Sequence, residues 1–148
     1  MKRKDFIKGC GMACLGGLGI TTLISGCSSL VPATGEIAGD NLVVEMKDFE
    51  IRQEKNVQFK RYIVVSNDLL RYPICIYRHD ELNYSALWMQ CTHQGTELQA
   101  FGDRLQCPAH GSEFDNKGRM TNGPAEANLR TFPITIEKTR IKISLKAV

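Results

Sequence analysis

Apolar residues in this chain come in short bursts broken by polar residues, and from residue 41 onward no burst keeps the three-to-four spacing of a helix. "LVVEM" (42–46), "QFKRYIVVS" (58–66), "ICIYR" (74–78), "YSALWMQ" (84–90), "TFPITIE" (131–137) and "RIKISLK" (140–146) are rich in β-branched and aromatic residues. They are separated by Asn, Asp, Gly, Pro and Lys, as strands are. The last run is the most regular: Ile141, Ile143 and Leu145 alternate with Arg140, Lys142, Ser144 and Lys146, the pattern of a strand with one wet face. A further pair of short alternating stretches flanks Gly102-Asp103 and predicts a hairpin. The expectation is a compact antiparallel all-β domain over residues 41–148. It has no internal repeat and no low-complexity tract.

The first 27 residues are patterned differently. A basic start is followed by an uncharged run from Gly9 to Gly26 and then by Cys27, the order of parts in an export signal. The run is 18 residues long, close to a bilayer span, but six of those residues are glycine, which favours a cleaved signal over a permanent anchor helix. "ISGC" (24–27) resembles the lipobox of bacterial lipoproteins, which implies lipidation of Cys27 and anchorage of an exported protein at a membrane. "RKDFIK" (3–8) resembles the twin-arginine export motif, with Lys4 in the second arginine position. That route suits a cargo folded around a cofactor. Residues 28–40, "SSLVPATGEIAGD", show no strand or helix period and are read as a tether.

Charge narrows the partners. The net formal charge of +3 is already present in the first eight residues, and the remainder is balanced at 15 basic and 15 acidic groups. No basic footprint for a nucleic acid is left.

Cysteine usage narrows the chemistry. Cys10 and Cys14 lie in the signal and Cys27 is the lipidation candidate, so the domain keeps Cys75, Cys91 and Cys107. An odd number in an oxidising compartment leaves an unpaired thiol unless two are metal ligands. Cys75 alternates with Ile74 and Ile76 and is read as a small buried hydrophobe. Cys91 and His93, in "CTHQG", are two apart, which turns both side chains to one side of an extended segment. Cys107 and His110, in "CPAHGS", are three apart around Pro108, a spacing suited to a tight turn. Two sulfur and two nitrogen donors fit either a structural zinc or an iron–sulfur centre.

The mixed order, one Cys and one His per loop, together with "GSEFDNKGR" (111–119) and "NGPA" (122–125), closely resembles the Rieske family over about residues 88–125. The resemblance implies a β-sandwich carrying a cluster-binding subdomain of two hairpin loops. It implies one [2Fe-2S] cluster with Cys91 and Cys107 on one iron, His93 and His110 on the other, and Ser112 donating to a bridging sulfide. Gly123, Pro124 and Ala125 match the loop that covers the cluster. Trp88, Phe101 and Phe132 are read as core or cluster cover.

Four departures bear on function. Thr96 and Ala109 occupy the positions of the bracing disulfide of respiratory members. Phe114 replaces a tyrosine hydroxyl, and Gln94 replaces the leucine that lies near quinol. The spacer between His93 and Cys107 holds 13 residues, shorter than the usual pattern. The implied function is one-electron transfer between redox proteins at a membrane, on the periplasmic side or cell surface of a bacterium. The alternatives are an iron–sulfur subunit of a quinol-oxidising cytochrome complex or of a molybdenum oxidoreductase. Oxygenase chemistry needs a separate mononuclear iron site, and only His79, in "YRHDEL", is left for one.

Overall fold

The computed structural model describes residues 33–53 and 56–146. Cys27 and the rest of the expected signal lie outside the described residues. The described residues form fifteen short strands and a single 3-10 turn, Met46–Phe49.

The central element is a five-stranded sheet in the order β1 (Ala33–Thr34), β6 (Tyr62–Ser66), β7 (Ile74–Arg78), β8 (Tyr84–Trp88) and β13 (Thr131–Phe132). Its pairings are antiparallel except that β1 runs parallel to β6. On one face lies a four-stranded sheet of β14 (Ile134–Glu137), β15 (Arg140–Ser144), β3 (Asn41–Glu45) and β2 (Glu36–Ala38). Leu42, Val44, Ile63, Val65, Ile74, Ile76, Ile141 and Ile143 fill the space between them. On the other face lies a sheet of β12 (Met120–Asn122), β11 (Glu113–Asp115), β10 (Arg104–Gln106) and β9 (Gln99–Phe101), whose core takes Cys75, Tyr77 and Leu87 from the central sheet.

Strand β7 explains this layering. A strand with one wet face alternates apolar and polar residues, whereas one covered on both faces is apolar throughout. Ile74, Cys75, Ile76 and Tyr77 are all buried. Ile74 and Ile76 enter the sandwich core while Cys75 and Tyr77 enter the other.

Three expectations change. The stretch read as a tether is part of the fold from Ala33: β1 pairs with Val65 and Ser66, and β2 with β3. Gly35 joins them and is buried, its N–H donating to the Ser66 carbonyl and its carbonyl accepting from Asn67 Nδ2. The run 58–66 is two strands. β4 (Glu50–Gln53) and β5 (Asn56–Phe59) form a separate hairpin, closed where the Lys60 N–H donates to the Phe49 carbonyl at 2.7 Å. The run 131–137 breaks at Pro133, which has no N–H for a ladder. Its carbonyl accepts from the Ser144 N–H as the chain crosses between sheets.

The Gly102-Asp103 hairpin forms as expected, with Phe101 opposite Arg104 and Gly102 at φ 60°. Trp88 and Phe132 pack edge to face at 5.7 Å, but Phe101 is half exposed on β9 and is not a core residue.

A Cβ built on Gly35 would stand 2.5 Å from Leu42 Cδ1 and 2.6 Å from Val65 Cγ1. Gly35→Ala should therefore destabilise the domain by about 1 to 3 kcal/mol through overpacking, read from the denaturant midpoint. Stability equal to the parent would mean that β1 and β2 are dispensable.

Candidate metal centre

Strand β8 delivers the first loop and β10 the second. The two loops are the same turn. The Gly95 N–H donates to the Cys91 carbonyl at 2.9 Å and the Cys91 N–H to the Thr96 carbonyl at 2.8 Å. In the second loop the Gly111 N–H donates to the Cys107 carbonyl at 3.0 Å and the Cys107 N–H to the Ser112 carbonyl at 2.8 Å. Each closure needs a left-handed residue four places after the cysteine. Gly95 and Gly111 supply it, at φ 75° and 78°.

Side chains from outside hold the loops. Tyr72 Oη donates to the Gly95 carbonyl at 2.6 Å, Thr92 Oγ1 to the Ala127 carbonyl at 2.7 Å, and Asn122 Nδ2 to the Gly111 carbonyl at 3.1 Å. The Ala125 N–H donates to Ser112 Oγ at 3.0 Å, and Ser112 is fully buried. Because that oxygen is accepting, the hydroxyl proton is left to point elsewhere. The loop 122–128 is thus tied to both cysteine loops. Its Gly123-Pro124 peptide bond is cis.

Cys91 and Cys107 are both buried, close enough for the Cys91 thiol to act on Cys107. His93 and His110 are exposed, with ring centroids 5.1 Å apart and planes at 84°. Burial pushes the Cys107 thiol up, but the Ala109 N–H, the Cys91 thiol, the His110 N–H and the Thr96 hydroxyl outweigh it. Together they hold it below the ordinary thiol range. A depressed thiol surrounded by donors is an environment made for sulfur carrying negative charge.

Cys75 is the opposite case. Burial raises its thiol strongly, opposed by the Tyr77 hydroxyl. It lies within the core and outside the site. His79 is exposed, with Nε2 2.7 Å from Ser85 Oγ, a turn histidine remote from the four donors.

Among the described residues, no three His, Cys, Asp or Glu side chains converge on the position of a single ion. The four donors form two pairs, sulfur inside and nitrogen outside. A tetrahedral zinc would draw all four around one point, whereas a diiron cluster divides them two and two. The residues present therefore fit a cluster of the mixed-ligand kind.

Comparison with known proteins decides the matter. The model of the Rieske [2Fe-2S] domain matches residues 41–133. The chain belongs to the Rieske family. Its cofactor is a [2Fe-2S] cluster and its chemistry is Rieske electron transfer.

The cytochrome b6-f complex iron-sulfur subunit of Prochlorococcus marinus is 32% identical over 56 residues, covering 36% of this Rieske chain and 32% of its own length. The ubiquinol-cytochrome c reductase iron-sulfur subunit of Bradyrhizobium diazoefficiens is 42% identical over 57 residues, with coverage of 36% and 32%. The chain thus matches about a third of the length of these relatives. Among solved structures, the plasma membrane Rieske protein of Synechocystis PCC 6803 aligns with TM-score 0.50 and 23% identity, over 57% of this chain and 86% of that one. A chain in the oxygenase–ferredoxin complex of carbazole 1,9a-dioxygenase aligns with TM-score 0.53 and 20% identity, over 72% and 94%. These structures share the fold.

The sequence reading missed Tyr72, Gly95, Gly111 and the repeated turn, whose signal is a cysteine followed four places on by glycine and then by Thr or Ser. It also missed the turn 115–119. There the Asp115 carboxylate accepts from the Lys117 and Arg119 N–H groups at 2.9 Å and from Arg119 Nε at 2.7 Å. Partial burial raises its pKa, but these donors outweigh burial and bring it below the ordinary carboxylate value. A carboxylate depressed in the folded state adds stability above its unfolded pKa near 3.9, and that stability is lost as pH falls through the folded value. Asp115→Asn should remove this part of the acid dependence. Denaturant midpoints of parent and variant should then converge as pH drops below about 4. A constant gap across that range would contradict the assignment.

Proposed function

We propose that this protein is a membrane-tethered one-electron carrier. Cys91 and Cys107 bind one iron of its cluster and His93 and His110 the other, and a lipid on Cys27 keeps the exported domain at a membrane. The observation that carries the ligand assignment is the division of the donors into a buried sulfur pair and an exposed imidazole pair. When bound, the cluster supplies a site that takes up and releases a single electron. The chain's own residues set how readily that happens and where the electron leaves.

N–H groups of Ala109 and His110 and the hydroxyl of Thr96 act on Cys107 sulfur and favour its negative charge. Ser112, with Oγ already accepting from Ala125, has its proton free to donate into the site. Each such donor stabilises the more negative state and raises the reduction potential. Phe114 is fully buried and donates nothing, so the potential should lie below that of relatives with a tyrosine hydroxyl there.

The closed loops hold the donors in fixed positions, which limits rearrangement between redox states. His93 and His110 reach solvent while the thiols do not, so a partner approaches at the imidazole side. The polar Gln94 at the tip, with Thr96 and Ala109 in place of disulfide cysteines, favours a protein partner over quinol oxidation. With His79 engaged by Ser85, oxygenase chemistry gains no support.

Reduced holoprotein should give the low-average-g electron paramagnetic resonance signal of a histidine-ligated diiron centre. Cys91→Ser or His110→Ala should abolish it while Cys75→Ala preserves it. Survival of the signal in the first two would end the ligand assignment. Ser112→Ala should lower the potential by on the order of 60 mV, about 1.4 kcal/mol for one electron. Film voltammetry reads this directly, and an unchanged potential would mean that the hydroxyl points away from the cluster. Cys27→Ser should release the protein from the membrane fraction, and the parent should show an acylated Cys27 by mass measurement.

A further inference from the structure

Strand β8 leaves the central sheet between two arginines. The Trp88 N–H donates to the Arg130 carbonyl at 2.9 Å on the β13 side, and the Met89 N–H donates to the Pro73 carbonyl at 3.0 Å on the β7 side. Neighbouring strands lie about 5 Å apart, so the two flanking segments run roughly 10 Å from each other. Arg71 precedes Pro73 by two residues. Both arginines line one cleft with Tyr72, Trp88 and His93, and the first cysteine loop forms its rim.

Each guanidinium is held over an aromatic ring. Arg71 lies 5.4 Å from the centre of the Tyr72 ring and Arg130 lies 4.6 Å from that of Phe132, with Arg130 Nη2 donating to the Leu145 carbonyl at 3.2 Å. Tyr72 and Phe132 both pack edge to face on Trp88 at 5.7 Å, so the two cations rest at the ends of one aromatic row. Stacking removes beforehand part of the freedom an arginine loses on binding. Among the described residues, neither arginine takes part in an ion pair. Asp68, Glu97 and Glu126 are exposed on adjoining segments, but no carboxylate among the described residues lines the cleft.

We propose that this cleft is the docking site of an acidic protein redox partner, whose carboxylates pair with Arg71 and Arg130 and bring its acceptor against His93. The inference rests on the electron-carrier reading and gives the partner its charge. A guanidinium fork meets a carboxylate with two parallel hydrogen bonds. Two such forks beside the loop of His93 fix both the place and the orientation of what docks there. The floor of the cleft favours a protein over a free anion. Trp88 and Tyr72 are only partly buried, and a partner's surface covers such aromatic area while a hydrated ion leaves it wet. The single electron released at the imidazole side then passes to the docked acceptor.

Reduced full-length holoprotein is mixed in stopped flow with ferric cytochrome c, either native and basic or succinylated so that its lysine amines become carboxylates. The haem is the same in both, so surface charge is what differs. The succinylated form should take the electron faster at low salt, and its rate should fall as ionic strength rises from about 0.01 to about 0.15 M. Arg71→Gln with Arg130→Gln should slow it about tenfold. Arg71→Lys with Arg130→Lys should keep the salt dependence, and Arg52→Gln, on the β4–β5 hairpin, should leave the rate unchanged. Trp88 is the one tryptophan of the chain and reports on the cleft without electron transfer. Iodide should quench its emission more than caesium does, hexaglutamate should protect it, and the double glutamine variant should lose both effects. Preference for native cytochrome c, or a double glutamine variant that behaves as the parent, would overturn the docking site and leave the carrier reading intact. Sulfate that protects Trp88 as well as hexaglutamate does at equal ionic strength would make this a free-anion site and overturn the partner. Oxidation by neither cytochrome would remove the carrier reading and this inference together.

Discussion

The structure depends on burial of the central sheet from both sides. Ile74 and Ile76 are fully buried in one core, and Cys75 is as deep in the other with Tyr77 beside it at 2% exposure. Covering both faces of one strand obliges the chain to build two partner layers. The first is the sandwich sheet, and the second is the sheet that holds the metal loops. The site is thus seated on the same strands that organise the rest of the fold. A disturbance in β7 or β8 is felt directly at Cys91, two residues beyond Met89 in the shared core.

Within the site, polarity is arranged by depth. Sulfur donors lie with Leu98, Leu105 and Phe114, while nitrogen donors meet water. Charge on buried sulfur is costly unless hydrogen bonds reach it, and here the backbone of the second loop supplies them. The outer imidazoles face no such demand. In the function proposed above, one environment tunes the centre and the other gives access to it.

How much could be read beforehand follows from which interactions are local. The strands, the Gly102-Asp103 hairpin and the family were legible because alternation, turn residues and the two Cys/His pairs are short-range signals. The role of Cys75 was legible for the same reason, as a thiol among isoleucines. Ala33–Ala38 was not, since its polar and small residues acquire strand character only by pairing with Val65, Ser66 and β3. The break at Pro133 and the free hairpin at 50–59 were hidden inside runs of strand-forming residues. Their ends are set by long-range bonds such as that from Lys60 to Phe49. The exposure of Phe101 likewise depends on how β9 lies against its neighbours. Tyr72 escaped notice because nothing near it in sequence points to Gly95.

Cys75 has a consequence of its own. It lies at zero exposure between two hydrophobic layers, with its thiol held strongly to the protonated form. A protonated, sequestered sulfur is a poor nucleophile. It is therefore withdrawn from disulfide exchange, from alkylating agents and from stray metal, and the third cysteine among the described residues becomes harmless. While the fold holds, Cys75 does not compete with Cys91 and Cys107 for a metal.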